Sequence, residues 1–133
     1  MKCPVVSISN VCQQIRGVSY KGGESIDTPQ DGYLPILRAN NICEEGILYD
    51  DLVFVPQKYV SKTQLLQKND IVIAASSGSI DIVGKAAPIK EEFKGSFGAF
   101  CKVLRPSSNI DPSYLAYFFK TPFYRHTISN LAA

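Results

Sequence analysis

A mixed α/β fold of the α+β kind, with a twisted and largely antiparallel β-sheet core and short flanking helices, is what this sequence predicts. Five strand-like runs, residues 33–38, 51–55, 70–75, 80–89 and 97–104, make most of the expected core β. Helical spacing takes over toward both ends, where capping residues open it. With 45% hydrophobic and 20% charged residues over 133 positions, the chain has the size and composition of one domain, residues 1–133, able to bury a core without staples.

Residues 7–16 open on capping side chains, set Ile8, Val11, Cys12 and Ile15 at helical spacing and stop at Gly17, which predicts a short amphipathic helix. Residues 17–32 are then rich in Gly, Ser, Lys, Asp and Pro, the composition of a long loop of the kind that carries function. Pro35 has no N–H for a ladder, so the first strand is expected at an edge or a bulge. Ile71-Val72-Ile73-Ala74-Ala75 lacks polar alternation and is expected at a sheet centre, covered on both faces. Residues 61–68 suit one short helix between strands. Asp111-Pro112 and Thr121-Pro122 each set a capping residue before a proline at the first helical position, which predicts two consecutive short helices. Tyr114, Leu115, Phe118 and Phe119 form the face that packs on the sheet. The sequence ends at Asn130-Leu131-Ala132-Ala133 inside a helical pattern and without a stop signal, as expected of a piece of a longer polypeptide.

A net charge of +2 is mild, so charge distribution has to carry any argument for nucleic acid. Cys3, Cys12, Cys43 and Cys101 form no Cys-x-x-Cys pair, and His126 is the single histidine, which argues against structural zinc. Neither a secretory segment nor an apolar run approaching the ~20 residues of a membrane span is present. Reduced, partly buried thiols and a cytoplasmic location are the expectation.

The richest stretch is residues 69–87, where a buried apolar run empties into a small, polar, glycine-containing turn and resumes. Bulky side chains vanish where the chain turns, so backbone amides and hydroxyls can approach a phosphate or a base edge. Gly78 and Gly84 are the positions where a Cβ is expected to obstruct the turn or that approach. Three patterns point instead toward enzymes, and each fails. Between Gly78 and Gly84-Lys85 lie five residues where a phosphate loop needs four, and Ala86 stands where a magnesium-binding Ser or Thr belongs. Asp111-Pro112-Ser113-Tyr114 resembles the Asp-Pro-Pro-Tyr motif of amino-methyltransferases, but no Gly-rich cofactor turn precedes it and a helix cap accounts for it. Asp81 with Glu92-Phe93-Lys94 resembles a magnesium nuclease pattern, yet the segment reads as a solvated hairpin connection. His126 has no recognisable carboxylate partner. No catalytic or metal-ligating residue is assigned.

What remains is a set of polar residues at element ends: Arg16, Ser19, Tyr20 and Lys21, then Arg38, Asn40 and Asn41, then Ser76, Ser77 and Ser79, and finally Lys85. Arg, Asn, Ser and Lys match guanine edges, adenine edges and phosphates, and Tyr20 can stack or pack on a sugar. Singly, Arg38 and Asn40-Asn41 can be capping and turn residues. As a set they favour double-stranded DNA.

In this order, Ile15-Arg16-Gly17-Val18-Ser19-Tyr20, Tyr33-Leu34-Pro35-Ile36-Leu37-Arg38-Ala39-Asn40-Asn41-Ile42, residues 70–79 with Val83-Gly84-Lys85-Ala86-Ala87, Phe97-Gly98-Ala99-Phe100, and Tyr114-Leu115-Ala116-Tyr117-Phe118 resemble a target recognition domain of a type I restriction-modification DNA specificity subunit. The resemblance implies an α/β domain that reads one half of a split DNA site and has no active site of its own. It implies modification (methyltransferase) and restriction subunits as partners, with S-adenosylmethionine, ATP and magnesium belonging to them. Neither the second such domain nor the long spacer helix of the family pattern is present in this sequence. Recognition domains of fused restriction-methylation enzymes fit the same residues, and a small magnesium nuclease or a protein-interaction module stays open from other classes.

Overall fold

The computed structural model describes residues 12–43, 46–74, 84–107 and 110–118. Nine strands run through them: β1 (Cys12–Arg16), β2 (Tyr33–Leu37), β3 (Ile42–Cys43), β4 (Gly46–Ile47), β5 (Val53–Pro56), β6 (Ile71–Ala74), β7 (Ala86–Pro88), β8 (Ser96–Phe97) and β9 (Cys101–Pro106). One α-helix, α1 (Pro112–Phe118), follows them. The strands form a four-stranded sheet ordered β1-β9-β6-β7, a three-stranded sheet ordered β5-β2-β8 and the β3-β4 hairpin. Every pairing is antiparallel except β2 with β8. Leu37 and Phe97 from one sheet and Ile15, Val72 and Val103 from the other meet in the main core, so the expected α+β architecture with a largely antiparallel core is what forms.

Several elements differ from the sequence expectation, and each difference has a physical reason. Residues 12–16 are a strand rather than the end of a helix; residues 7–11 lie outside the described region. Cys12 and Ile15 are three apart, which imitates a helical face, but in a strand an odd offset points them to opposite sides. Each accordingly packs into a different cluster, Cys12 with Leu104 and Leu115, Ile15 with Val72 and Val103. Pro35 lies on the central strand of its sheet, not at an edge. It is tolerated because β8 pairs only with Ile36 and Leu37, beyond the proline. The predicted 97–104 strand is two strands in different sheets, broken at residues 98–100.

Residues 61–68 form turns instead of a helix. The start signal is present, with Gln64 N–H donating to Ser61 Oγ at 3.3 Å and Ser61 N–H to Gln64 Oε1 at 3.1 Å. What stops propagation is competition for carbonyls: Arg105 donates to the Thr63 and Leu65 carbonyls at 3.2 and 2.9 Å, and Ser96 Oγ donates to that of Gln64 at 2.6 Å.

Other expectations hold. β6 lies between β9 and β7 with Ile71, Val72 and Ala74 buried. Asp111 opens α1, its Oδ1 accepting from Ser113 N–H at 2.8 Å. Leu115 and Phe118 pack from that helix against Cys12, Ile71 and Leu104 of the four-stranded sheet. Tyr114 does not, being 62% exposed; Phe119, His126, Cys3 and the second predicted helix at Thr121-Pro122 lie outside the described residues.

One buried ion pair ties these pieces together. Asp70 is 1% exposed, and Arg105 grips it with Nε to Oδ1 at 2.9 Å and Nη2 to Oδ2 at 2.8 Å. Asp70 Oδ2 also accepts from Gln67 N–H at 2.8 Å. Removing one partner strands a desolvated charge and frees the loop carbonyls. Asp70→Ala is expected to lower stability by roughly 3 kcal/mol, read as a lower urea midpoint with unchanged slope.

Candidate functional site

Three chain segments converge beside the end of β2. Residues 17–20 leave β1, residues 37–40 leave β2, and residues 98–101 turn from β8 into β9. Val18 N–H donates to the Phe97 carbonyl at 2.8 Å, Gly98 N–H to that of Leu37 at 2.9 Å, and Cys101 N–H to that of Gly98 at 3.0 Å. Gly17 makes this crossing possible, because a Cβ there would sit 1.9 Å from the Gly98 carbonyl oxygen.

The crossing supports an open cleft of about 590 Å³ lined by Ser19, Tyr20, Arg38, Asn40, Phe100 and Cys101, among others. Ser19 and Asn40 are exposed, and Tyr20 and Arg38 are half-buried. Burial pushes the Tyr20 phenol above its ordinary range, while the Arg38 guanidinium pulls it down and Cys101 pushes it up. Four of the residues singled out in the sequence therefore share one concavity. It presents hydroxyl, amide and guanidinium groups against apolar walls, a set suited to a planar polar ligand edge.

The remaining candidates fall in three places. Arg16 is exposed at the end of β1, directly across from the exposed Lys102 of β9, and alternation along β9 sends Lys102 to the opposite sheet face from the cleft-lining Cys101. Like charges directly opposed on a sheet repel, so this pair suits a site facing an anion. Lys21 is exposed next to Tyr20, its backbone N–H bonded to Glu24 Oε1 at 2.9 Å. Lys85 is half-buried and reaches the same end of the four-stranded sheet through its backbone: its carbonyl accepts from Ala74 N–H at 2.9 Å, and Ala74 pairs with Cys101. Gly84 has φ +86 and donates to the Ala74 carbonyl at 2.7 Å, so the turn itself requires a glycine there. Ser76, Ser77, Gly78 and Ser79 lie outside the described residues, as does Asp81.

Asn41 is corrected to a structural role. It is 1% exposed, its Oδ1 accepts from Arg38 N–H at 2.9 Å, and its amide donates to the Leu48 and Asp50 carbonyls at 2.8 and 2.9 Å. Both amide hydrogens are thus committed internally. Sequence reasoning missed Phe100, 70% exposed at the cleft mouth, and Lys102, which only strand register places opposite Arg16. Among the described residues no group of three His, Cys, Asp or Glu side chains could hold a metal ion.

Two predictions follow from the crossing. Gly17→Ala is expected to destabilise by about 3 kcal/mol because backbone must move, whereas Gly22→Ala, with open space around it, changes stability by about a few tenths of a kcal/mol at most, both read from urea titrations. Cys101 reports burial directly, since desolvation pushes its thiol from 9.0 to about 11. Below pH 9 the thiol is protonated whether folded or unfolded, and no stability changes hands. Between 9 and about 11 the unfolded chain ionises and the folded one does not, so this group makes stability fall as pH rises. Urea titrations at pH 8 and pH 10, comparing the protein with Cys101→Ala, read out that difference.

No protein-family model matches the chain. It is 50% identical over 126 residues to the type I restriction enzyme StySPI specificity subunit of Salmonella potsdam, covering 95% of this chain and 27% of that protein. To the EcoKI specificity subunit of Escherichia coli (strain K12) it is 46% identical over 129 residues, covering 97% of this chain and 28% of that protein. It thus spans about a quarter of the length of these curated relatives. The HsdS subunit from Thermoanaerobacter tengcongensis shares its fold, with a TM-score of 0.70 at 16% identity over 96% of this chain and 29% of that one. The S subunit of a type I restriction-modification system from M. genitalium aligns with a TM-score of 0.53 at 18% identity over 94% of this chain and 27% of that one. With half identity along nearly the whole chain and a matching fold, the chain corresponds to a target recognition domain of the type I restriction enzyme specificity subunits, about a quarter of their length.

Proposed function

We propose that this chain reads a short sequence in double-stranded DNA, one half of a bipartite site, as the recognition module of a type I restriction-modification system. The observation that carries the proposal is identity of 46–50% to specificity subunits along nearly the whole chain. The cleft supports it, because Arg38, Asn40, Ser19 and Tyr20 offer the fork, amide and hydroxyl groups that pair with base edges. Lys21 beside Tyr20, and Arg16, Lys102 and Lys85 at one end of the four-stranded sheet, supply cations for the phosphate backbone.

In this reading the chain positions DNA and does no covalent chemistry. Methyl transfer and strand cleavage fall to separate modification and restriction subunits, and S-adenosylmethionine, ATP and magnesium act there. The working compartment is the cytoplasm, where the thiols Cys12, Cys43 and Cys101 stay reduced. A module of this size buries roughly 600–1,000 Å² on DNA, so alone it binds weakly.

Selection from random duplex DNA, followed by titration of the preferred and an unrelated duplex over a range of salt, tests the proposal. Lys85→Ala is expected to weaken both duplexes alike and reduce the salt slope by about one unit. Arg38→Ala is expected to cost roughly 1–3 kcal/mol on the preferred duplex and little on the unrelated one. No enrichment in the selection, or turnover of DNA by the pure chain, sinks the proposal.

A further inference from the structure

Arg38 borders a second cleft, of about 500 Å³, which Asp51 also lines with Asp27, Tyr49 and Phe54. Its guanidinium is tied to Asp51. Nη2 donates to the Asp51 backbone carbonyl at 2.8 Å, and the Asp51 carboxylate Oδ2 stands 3.7 Å from the same nitrogen. Nε is buried and has no hydrogen-bond partner among the described residues. Asp51 adopts φ +52, a left-handed conformation that Asp and Asn tolerate and most residues avoid. With its side chain 85% exposed against 36% for that of Arg38, the carboxylate contributes little to the fold.

Its effect on a ligand is larger. The backbone carbonyl fixes the guanidinium plane, and the carboxylate lowers the positive potential that an arriving anion meets. A phosphate approaching Arg38 is repelled by a like charge a few ångströms away. A base edge, which is neutral, meets no such repulsion and still finds the arginine's remaining donors.

We propose that Asp51 is a positioning residue that steers Arg38 away from phosphates and onto neutral base edges. This rests on the DNA reading above. It assigns the choice between gripping backbone and reading sequence to an acidic residue that pure affinity would select against.

Titration of the 133-residue chain, Asp51→Asn, Arg38→Ala and the double variant against preferred and unrelated duplexes, over a range of salt, tests the assignment. Asn keeps the backbone carbonyl and tolerates the positive φ, so the substitution removes the charge alone. Asp51→Asn is expected to tighten the unrelated duplex about two- to fivefold and steepen its salt slope by about one unit. The preferred duplex changes less, so preference falls, and the effect vanishes when Arg38 is alanine. Equal gains on both duplexes, or gains that survive Arg38→Ala, overturn the assignment and leave the DNA reading standing. A lowered melting temperature that accompanies the lost preference also overturns it, because Asp51 is then a folding residue. Absence of any preferred duplex for the unaltered chain overturns both readings.

Discussion

The close approach of Gly17 to Gly98 sets the geometry on which the rest of the site depends. Two backbones pass with no room for a Cβ between them, and this joins the ends of both sheets. β1 belongs to the four-stranded sheet and β8 to the three-stranded one, so the contact is where the two share a corner. The amide of Val18 and that of Gly98 find carbonyls on Phe97 and Leu37, leaving the crossing satisfied as well as tight. Once three strand ends are fixed in this way, the side chains just beyond them have little freedom in where they point.

Rigidity on the far side comes from polar groups used as internal scaffolding. Residues 61–70 have no regular structure, yet Arg105 holds two of their carbonyls and the Asp70 carboxylate at once. Ser96 and Gln64 add to the lattice, Gln64 Nε2 reaching the Arg16 carbonyl at 3.0 Å. That last bond ties the loop to the strand end that enters the glycine crossing. A loop that looks locally disposable therefore braces β1 from behind.

Strand content was legible because alternation and apolar runs are local: β2, β5, β6 and β7 all fall within the runs expected or shifted by one or two residues. Failures came where a distant partner decided the outcome. Residues 12–16 carry a helix-like spacing that two separate cores convert into a strand, and residues 61–68 carry a genuine helix start that Arg105 and Ser96 override. The clustering of candidate residues was legible in part, since Ser19, Tyr20, Arg38 and Asn40 do gather in one cleft. Its partition was not. Nothing in Asn40-Asn41 says that the first amide faces solvent while the second is spent on Leu48 and Asp50, because only the fold of the β3-β4 region supplies those carbonyls.

That partition has a logic of its own. Asn41 closes the turn after β2 by accepting from the Arg38 backbone N–H, which fixes the main chain from which both Arg38 and Asn40 project. The turn from residue 98 to 101 plays the same part for Phe100, whose ring stays exposed while Gly98 and Cys101 are buried on either side. Each exposed tip is thus anchored by a buried neighbour one or two residues away. Exchanging Asn40 or Phe100 leaves the anchors untouched, whereas exchanging Asn41 removes the bonds that set its tip. In the proposed reading, a surface built this way changes what it binds through its tips, because the free energy of folding is held in the residues beside them.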